Sequence, residues 1–383
     1  MSEYQYYEFA AVERSLTAKE MAELRACSTR ATITATSFVN EYHWGNLKAE
    51  PSDWMRRYFD AFVYMTNWCT CRLAFRVPYA VFSKSELSQY ATKLALTIDA
   101  AGKHWIIDWW LDESEDYDRF GLDEGRDWMG RLMPLRDELL RGDLRPLYLG
   151  WLAGVTAREV DDNAIEPEVP PGLSRLSAAQ QALVAFLEID PDLVAAAAAV
   201  SPDVSELDND DSINEWLAGL SVNEMRAILK LLLNGKSQQA ERQFKTAFLT
   251  WQKKLAQGTA PCVSRRKVAE LRTLAKVAET HRLEREAKAR VRQEAVRRKK
   301  RDDFLKTLAA DFDQCWNALH PLVERGSASG YDQAKHVIID LADAYQLVSS
   351  KEIFDRALRR FLVRHAKRGA LIRRLVEAGL WQK

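Results

Sequence analysis

The sequence predicts an α+β fold: a small N-terminal domain of mixed strands and helices, then a predominantly α-helical remainder. Over the first 112 residues, short aromatic and β-branched segments alternate with amphipathic ones, a pattern typical of α+β domains. Beyond residue 172 the apolar residues recur only at helical spacing. No Gly or Pro interrupts the fifty-seven residues from Ser264 to His320. This stretch predicts one long, polar, basic helix ahead of a C-terminal cap of helical hairpins.

Aromatic and β-branched residues predict the strands of the N-terminal domain. Thr17 and Glu20 form a capping box that opens its first helix. Apolar spacing from Pro51 to Thr66 predicts a single helix through that segment. The stretch 100–102 predicts a hairpin turn between the last two strands. The predicted strands are 4–12, 32–42, 69–77, 93–99 and 103–110, and the predicted helices are 17–26, 51–66 and 84–90.

Helical spacing predicts the later elements. Ser221 and Glu224 form a second capping box ahead of an amphipathic segment. Phe244, Phe248 and Trp251 step by four and three residues, a stripe that needs a partner helix. Further helices are predicted over 127–140, 145–158, 177–187, 331–347, 352–364 and 370–380.

Composition divides the chain into regions. Asp108 to Asp127 carries nine acidic residues against two Arg, which predicts a solvated loop; docking on the basic helix, or imitation of a polyanion, is the alternative. The run Glu-Pro-Glu-Val-Pro-Pro-Gly predicts a linker. We predict an α+β domain over 1–112, a helical extension with the acidic loop over 113–160, the linker over 161–172, a helical domain over 173–262, the long basic helix over 263–320 and a C-terminal helical cap over 321–383.

The long helix concentrates positive charge in a chain whose formal net charge is zero. Ser264 to Arg301 carries fifteen Lys/Arg against five Glu. Large apolar residues recur regularly only at its two ends, which indicates a polar bridge between packed regions. Such a cationic array can neutralise phosphates without reading base sequence, and a solvated helix is the alternative. The candidate nucleic-acid-binding residues are Arg290, Arg297, Arg298, Lys299, Lys300, Arg301, Arg360, Arg364 and Lys367.

Few residues suggest catalysis, and we predict neither a metal nor a cofactor. Cys69 and Cys71 have no second Cys or His pair nearby, so they do not form a usual zinc motif. A cysteine nucleophile with His43 or His104 stays open. We expect His43 to be a buried, hydrogen-bonded residue, and a ligand site is the alternative. We expect Asp108 to face water at a strand end, and an acid with a raised pKa is the alternative.

The localisation prediction rests on targeting signals and cysteines. No basic segment precedes an apolar core at the N-terminus, and no apolar run approaches eighteen residues, so we predict neither export nor a membrane span. The five cysteines are an odd number, which suits free thiols in a reducing compartment. We therefore predict a cytoplasmic protein.

Four segments contain two or more aromatic residues: Tyr4–Phe9 (YQYYEF), Thr36–Gly45 (TSFVNEYHWG), Asn67–Pro78 and Pro146–Leu152 (PLYLGWL). Two predicted helical segments, Gly172–Val200 and Arg364–Leu380, follow them in the chain. Together they resemble a family of uncharacterised bacterial proteins that has no established activity. The resemblance implies a bacterial cytoplasmic origin and one continuous architecture, and it supplies no catalytic residue.

These observations favour a non-enzymatic scaffold or adaptor that mediates protein–protein interactions in a bacterial cytoplasmic complex. The first alternative is an accessory protein that binds RNA or DNA through the basic helix. The second is an enzyme with a site in the N-terminal domain around His43, Trp44 and Cys69. The sequence leaves the oligomeric state and the identity of the partner open.

Overall fold

The structure of the protein, a computed structural model, describes residues 4–112, 127–203, 210–235 and 265–381, with eight further helical positions between 237 and 251. The chain divides into two compact units, the first ending at Arg282 and the second beginning at Leu283. The first unit contains a seven-stranded sheet and the second is helical. The predicted α+β class with a mostly helical remainder is thereby confirmed.

The sheet is antiparallel throughout, in the order β2-β3-β1-β4-β5-β7-β6. Phe9 on β1 lies opposite Phe38 on one neighbouring strand and Phe62 on the other. The Phe9 and Phe62 rings stack with centroids 4.3 Å apart, so aromatic cross-strand contacts pin the register of the central strands. The strands are β1 Gln5–Ala10, β2 Thr32–Ile33, β3 Ser37–Tyr42, β4 Ala61–Thr66, β5 Cys71–Pro78, β6 Leu96–Ala101 and β7 His104–Leu111.

Two predicted N-terminal elements are wrong in part. The predicted strand over 32–42 is a β2–β3 hairpin. The predicted helix over 51–66 ends at Arg57, and the residues that follow Asp60 form β4, which pairs with β1 and β5. Residues 61–66 are mostly aromatic or aliphatic and form a strand that is covered on both faces. Such a strand has a nearly continuous apolar sequence without a clear period, so periodicity does not distinguish it from a helix.

Each face of the sheet has its own apolar core. Phe9, Phe38 and Phe62 pack on one face with α1 and α2, whereas Val63 and Trp109 pack on the other with α4 to α8. The helices of the first unit are α1 Ala18–Cys27, α2 Pro51–Arg57, α3 Lys84–Ser88, α4 Trp128–Leu132, α5 Pro134–Leu140, α6 Arg145–Thr156, α7 Ala178–Phe186, α8 Pro191–Ala198, α9 Asp210–Gly219 and α10 Val222–Leu233.

Gly150 lets α6 lie directly against β7. A Cβ atom at this position would come within 2.6 Å of Trp109 Nε1. That indole nitrogen donates a hydrogen bond to the Pro146 carbonyl at 3.1 Å. The close approach of α6 therefore gives the buried indole N–H an acceptor and packs the Trp109 ring against the helix.

The long helix, α11, runs from Val268 to Ala309, whereas the sequence predicted one helix over 264–320. Ser264 lies outside the described residues. At the other end the Asp311 side chain accepts from the Gln314 N–H at 2.8 Å and caps a new helix, which ends the long one. The new helix, α12 Phe312–Glu324, contains Pro321 near its end, so it passes the predicted limit at His320.

Four helices and the end of α11 make up the second unit. Their buried core includes Trp316, Leu319, Ile338, Leu358 and Leu371. The remaining helices are α13 Ala328–Val348, α14 Lys351–Arg364 and α15 Gly369–Glu377. They match the three predicted cap helices to within a few residues, because short polar breaks separate strongly periodic segments.

Candidate interaction surfaces

A buried ion pair holds the residues at the start of α11 in the first unit. Arg266 donates from Nε to Glu166 Oε2 at 2.6 Å and from Nη2 to Glu166 Oε1 at 2.8 Å. The Tyr148 hydroxyl donates to the same carboxylate at 2.6 Å. Burial, together with Glu166, raises the pKa of Tyr148. The carboxylate therefore ties the segment 161–172, which we predicted to be a linker, to α6 and to the beginning of α11.

Further charge pairs continue this attachment along the first turns of α11. Arg272 pairs with Asp162 at 2.9 Å, and its Nη2 donates to the Val155 carbonyl at 2.7 Å. Arg282 pairs with Asp192 at 2.9 Å. These contacts supplement the apolar packing on the same turns, so this end of α11 is fixed to the first unit.

The basic stretch, which we define as residues 285–301 of α11, is exposed along its whole length. Five of the predicted nucleic-acid-binding residues lie in this stretch and are exposed to solvent: Arg290, Arg297, Arg298, Lys299 and Lys300. Within the described part of the chain, no carboxylate forms an ion pair with any side chain from Arg297 to Lys300. Four adjacent cations are thus available to an anionic partner.

Arg301 differs from these four because it is already paired. Its Nη2 lies 2.7 Å from Asp340 and 2.7 Å from Asp343, both on α13. Arg301 therefore has two carboxylate partners within the second unit and is less available to a phosphate.

The predicted nucleic-acid-binding residues of the C-terminal helical cap lie on α14 and just after it. Arg360, Arg364 and Lys367 are exposed, and Arg364 lies 3.7 Å from Glu324. Exposed pairs at this distance contribute little to stability. All three cations therefore remain accessible from solvent.

A second candidate surface, which sequence reasoning missed, lies on α10. This helix buries no residue, although aliphatic side chains cover one of its faces. Leu229 is 57% exposed and Leu233 is 87% exposed. The capping box of Ser221 and Glu224 forms as predicted and starts the helix. The exposed aliphatic residues of α10 are Val222, Met225, Leu229, Leu232 and Leu233.

Three of these residues, Met225, Leu229 and Leu232, border a groove of about 460 Å³ between α10 and the helical positions that follow it. Beneath it Trp216 of α9 packs against Phe244 at 4.7 Å and Phe248 at 5.2 Å between ring centroids. The predicted aromatic stripe thus packs against α9 as its partner helix. We call this site the apolar groove, and its lining is Leu217, Met225, Ile228, Leu229, Leu232, Ser237, Ala240, Glu241 and Phe244.

The second unit contains a close histidine pair. His320 Nδ1 and His365 Nε2 lie 2.7 Å apart, and the Phe361 ring stacks on His320. Burial lowers the pKa of both imidazoles; Arg364 lowers it further, whereas Glu324 raises it. One shared proton suits this geometry, but two cations at this separation would repel each other.

We expect acidification to destabilise the second unit. Because both folded-state pKa values lie below the ordinary value of 6.5, the unfolded chain binds more protons as the pH falls below about 6.5. The free energy of unfolding should therefore be greatest above that pH and decrease below it. Hydrogen exchange of α13 and α14 amides at pH 7.5 and 5.5 measures this effect. His365→Leu should reduce the pH dependence, and the exposed His336→Ala should retain it; equal dependence in all three proteins would contradict the assignment.

The N-terminal residues of the enzyme alternative are not arranged as expected. His43, predicted to be buried, is exposed beside Tyr4, with ring centroids 5.5 Å apart. Trp44 is also exposed, whereas Cys69 is fully buried. A buried thiol offers no accessible nucleophile to a substrate from solvent.

We predicted that Asp108 faces water, but the structure largely buries it. Arg72 on the adjacent strand β5 pairs with it at 2.6 Å, and both side chains are 13% exposed. Burial raises the pKa of Asp108, while the hydrogen bonds and charge of Arg72 oppose that rise. This carboxylate is thus part of an ion pair between strands.

The described residues contain no group of three or more His, Cys, Asp or Glu side chains that could hold a metal ion. Among the described helices, none combines the length and the hydropathy that a membrane-spanning segment requires. Most of the predicted acidic loop lies outside the described residues, as does Cys262.

The fold and exposed surfaces define an α+β protein with a helical extension and two accessible candidate interaction surfaces. No protein-family model matches the chain, and no curated protein or solved structure is significantly similar to it.

Proposed function

We propose that this protein is a non-enzymatic adaptor of a bacterial cytoplasmic complex and that it binds a partner protein through the apolar groove. One observation carries the proposal: α10 exposes five large aliphatic residues and buries none. Contiguous apolar surface rimmed by polar residues is typical of a protein-binding site.

The aliphatic residues of α10 contribute little to the core beneath the groove. Trp216 is 5% exposed and Ala240 is 1% exposed, whereas the outer face of α10 remains in contact with water. Burial of a Leu side chain stabilises an interface by roughly 1.5 to 3 kcal/mol. A partner that covers Leu229 and Leu232 would therefore gain a large apolar contribution.

Leu229→Arg together with Leu232→Arg should abolish partner binding with little effect on folding, because both side chains are already substantially exposed. The full-length protein and this variant would be immobilised and exposed to lysate of the source cells, and captured proteins would be compared by mass spectrometry. Val363→Arg, at a 78% exposed position of α14, is the matched control. We expect a set of proteins retained by the wild type and control but lost by the groove variant. Identical capture by all three proteins would overturn the proposal.

A second candidate function is the binding of nucleic-acid phosphates by the basic stretch. The observation that favours it is the exposure of Arg297, Arg298, Lys299 and Lys300, with no ion-pair partner among the described residues. Each phosphate contact releases bound counterions, so affinity through such contacts falls steeply with salt.

Changing these four cations to Gln should weaken binding to RNA or DNA by roughly tenfold or more at about 50 mM salt and flatten the salt dependence between about 50 and 200 mM. Fluorescence anisotropy with labelled single- and double-stranded probes measures both effects. Arg301→Gln is the control, because Arg301 already pairs with Asp340 and Asp343 and its loss should change binding less. Absence of wild-type binding at the lower salt would exclude this function.

A further inference from the structure

We infer that the occupant of the apolar groove is an amphipathic helix that carries carboxylates along one flank. The inference rests on the proposed adaptor function and adds the chemistry of the partner. It follows from the spacing of the exposed aliphatic residues and from two cations that flank the aliphatic face of α10.

The spacing selects a helix as the occupant. Val222, Met225, Leu229 and Leu232 follow one another at intervals of three, four and three residues. This is the a and d pattern by which one helix packs along another at a crossing angle of about 20°. A groove between helical elements accepts the apolar face of a partner helix. A strand would instead need unpaired backbone groups, and the interior of an α-helix offers none.

The charge beside the aliphatic face of α10 determines which flank of that helix carries the carboxylates. Neither Arg226 nor Lys230 lines the groove, whose lining includes the acidic Glu241, so the favoured flank is the one that faces these two cations. Arg226 and Lys230 are exposed and one turn apart on α10. At 3.6 residues per turn they lie beside Leu229 and Leu233, along the outer edge of the aliphatic face. No carboxylate in the described ranges pairs with either cation. Carboxylates on the adjacent flank of a partner would pair with them, whereas lysines would meet like charges.

The same basic edge disfavours a second copy of α10 as the occupant. An antiparallel pairing of two copies related by a twofold axis would bring Arg226 and Lys230 of both chains along one side of the interface. Like charges placed there oppose association. A different protein with an acidic flank avoids this repulsion.

Two synthetic helical peptides test the inference with the full-length protein. Both carry Leu at every a and d position of three heptads, and they differ only in having Glu or Lys at the flanking positions. We expect the Glu peptide to bind roughly tenfold tighter than the Lys peptide at low salt, as measured by fluorescence anisotropy. The double variant Arg226→Glu, Lys230→Glu should reverse this preference. Leu229→Arg with Leu232→Arg should weaken the binding of both peptides.

The outcomes separate this inference from the proposed function. Equal binding of both peptides, lost only in the leucine variant, would keep the groove as a docking site and overturn the acidic partner. Binding of neither peptide by a monomeric protein would overturn both proposals. Sedimentation as a dimer that Leu229→Arg dissociates would identify a second copy as the occupant and overturn the acidic partner. Reversal of the preference by the charge variant would support the acidic helix.

Discussion

Arg266→Ala should lower the free energy of unfolding of the first unit by about 3 to 5 kcal/mol, because it leaves a buried carboxylate without its cation. Glu166 is the carboxylate concerned, and its side chain is 3% exposed. Of Tyr148 and Arg266, the side chains that donate to Glu166 among the described residues, only Tyr148 would remain in the variant. Urea unfolding at neutral pH, with hydrogen exchange of amides 268–275, measures the loss and locates it at the start of α11.

The control for this prediction is Arg56→Ala. Arg56 pairs with Asp53 at 3.2 Å, but the two side chains are 44% and 64% exposed. Exposed pairs contribute about 0 to 1 kcal/mol, so the control should unfold almost as the wild type does. The double variant Glu166→Gln, Arg266→Met should recover part of the loss, because it removes both buried charges. If Arg266→Ala and Arg56→Ala lowered the free energy of unfolding by similarly small amounts, the buried pair would not anchor α11.

Asp60→Ala should have a similarly large effect, about 3 to 5 kcal/mol. Asp60 is fully buried immediately before β4, beside the end of β1. Its Oδ2 accepts from the N–H groups of Val12 and Glu13 at 2.7 and 2.8 Å, and its Oδ1 accepts from Arg76 Nη2 at 2.8 Å. Alanine would leave two backbone donors and a buried guanidinium without this partner. Urea unfolding of the full-length protein measures the loss, with Asp53→Ala as an exposed control.

The acid dependence of this effect has a definite direction. Burial alone would raise the pKa of Asp60, but the Glu13 N–H, the Arg76 charge and the Val12 N–H lower it below the ordinary value of 3.8. A carboxyl group with a lowered pKa stabilises the folded state above its unfolded-state pKa, and that contribution disappears as the pH falls through the folded-state value. The difference between the wild type and Asp60→Ala should therefore shrink in strong acid. A difference that grows on acidification would contradict the assignment.

The candidate surfaces could be predicted from sequence only in part. The positive charge of the basic stretch is visible in composition, and its exposure follows because few apolar residues interrupt it. By contrast, the pairing of Arg301 with Asp340 and Asp343 joins positions about forty residues apart. No local pattern identifies such a pair, so sequence analysis grouped Arg301 with its exposed neighbours.

The apolar groove shows a different limit of sequence analysis. Met225, Ile228 and Leu232 recur at helical spacing whether the face they form is covered or not. Periodicity therefore predicts the helix, but it does not show which apolar face lacks a partner. Only the arrangement of α9, α10 and the following helical positions shows that the outer face of α10 remains exposed.

The sequence by itself determined the α+β class, the order of most elements and the helix starts at Thr17 and Ser221. These features depend on residues within a few positions of one another, where capping hydrogen bonds and apolar period act directly on the backbone. Tertiary structure alone decided that 61–66 joins the sheet, that Arg266 and Glu166 secure the start of α11, and that Asp108 is buried beside Arg72. These outcomes depend on contacts between distant parts of the chain, because packing and the pairing of buried charges outweigh local preference.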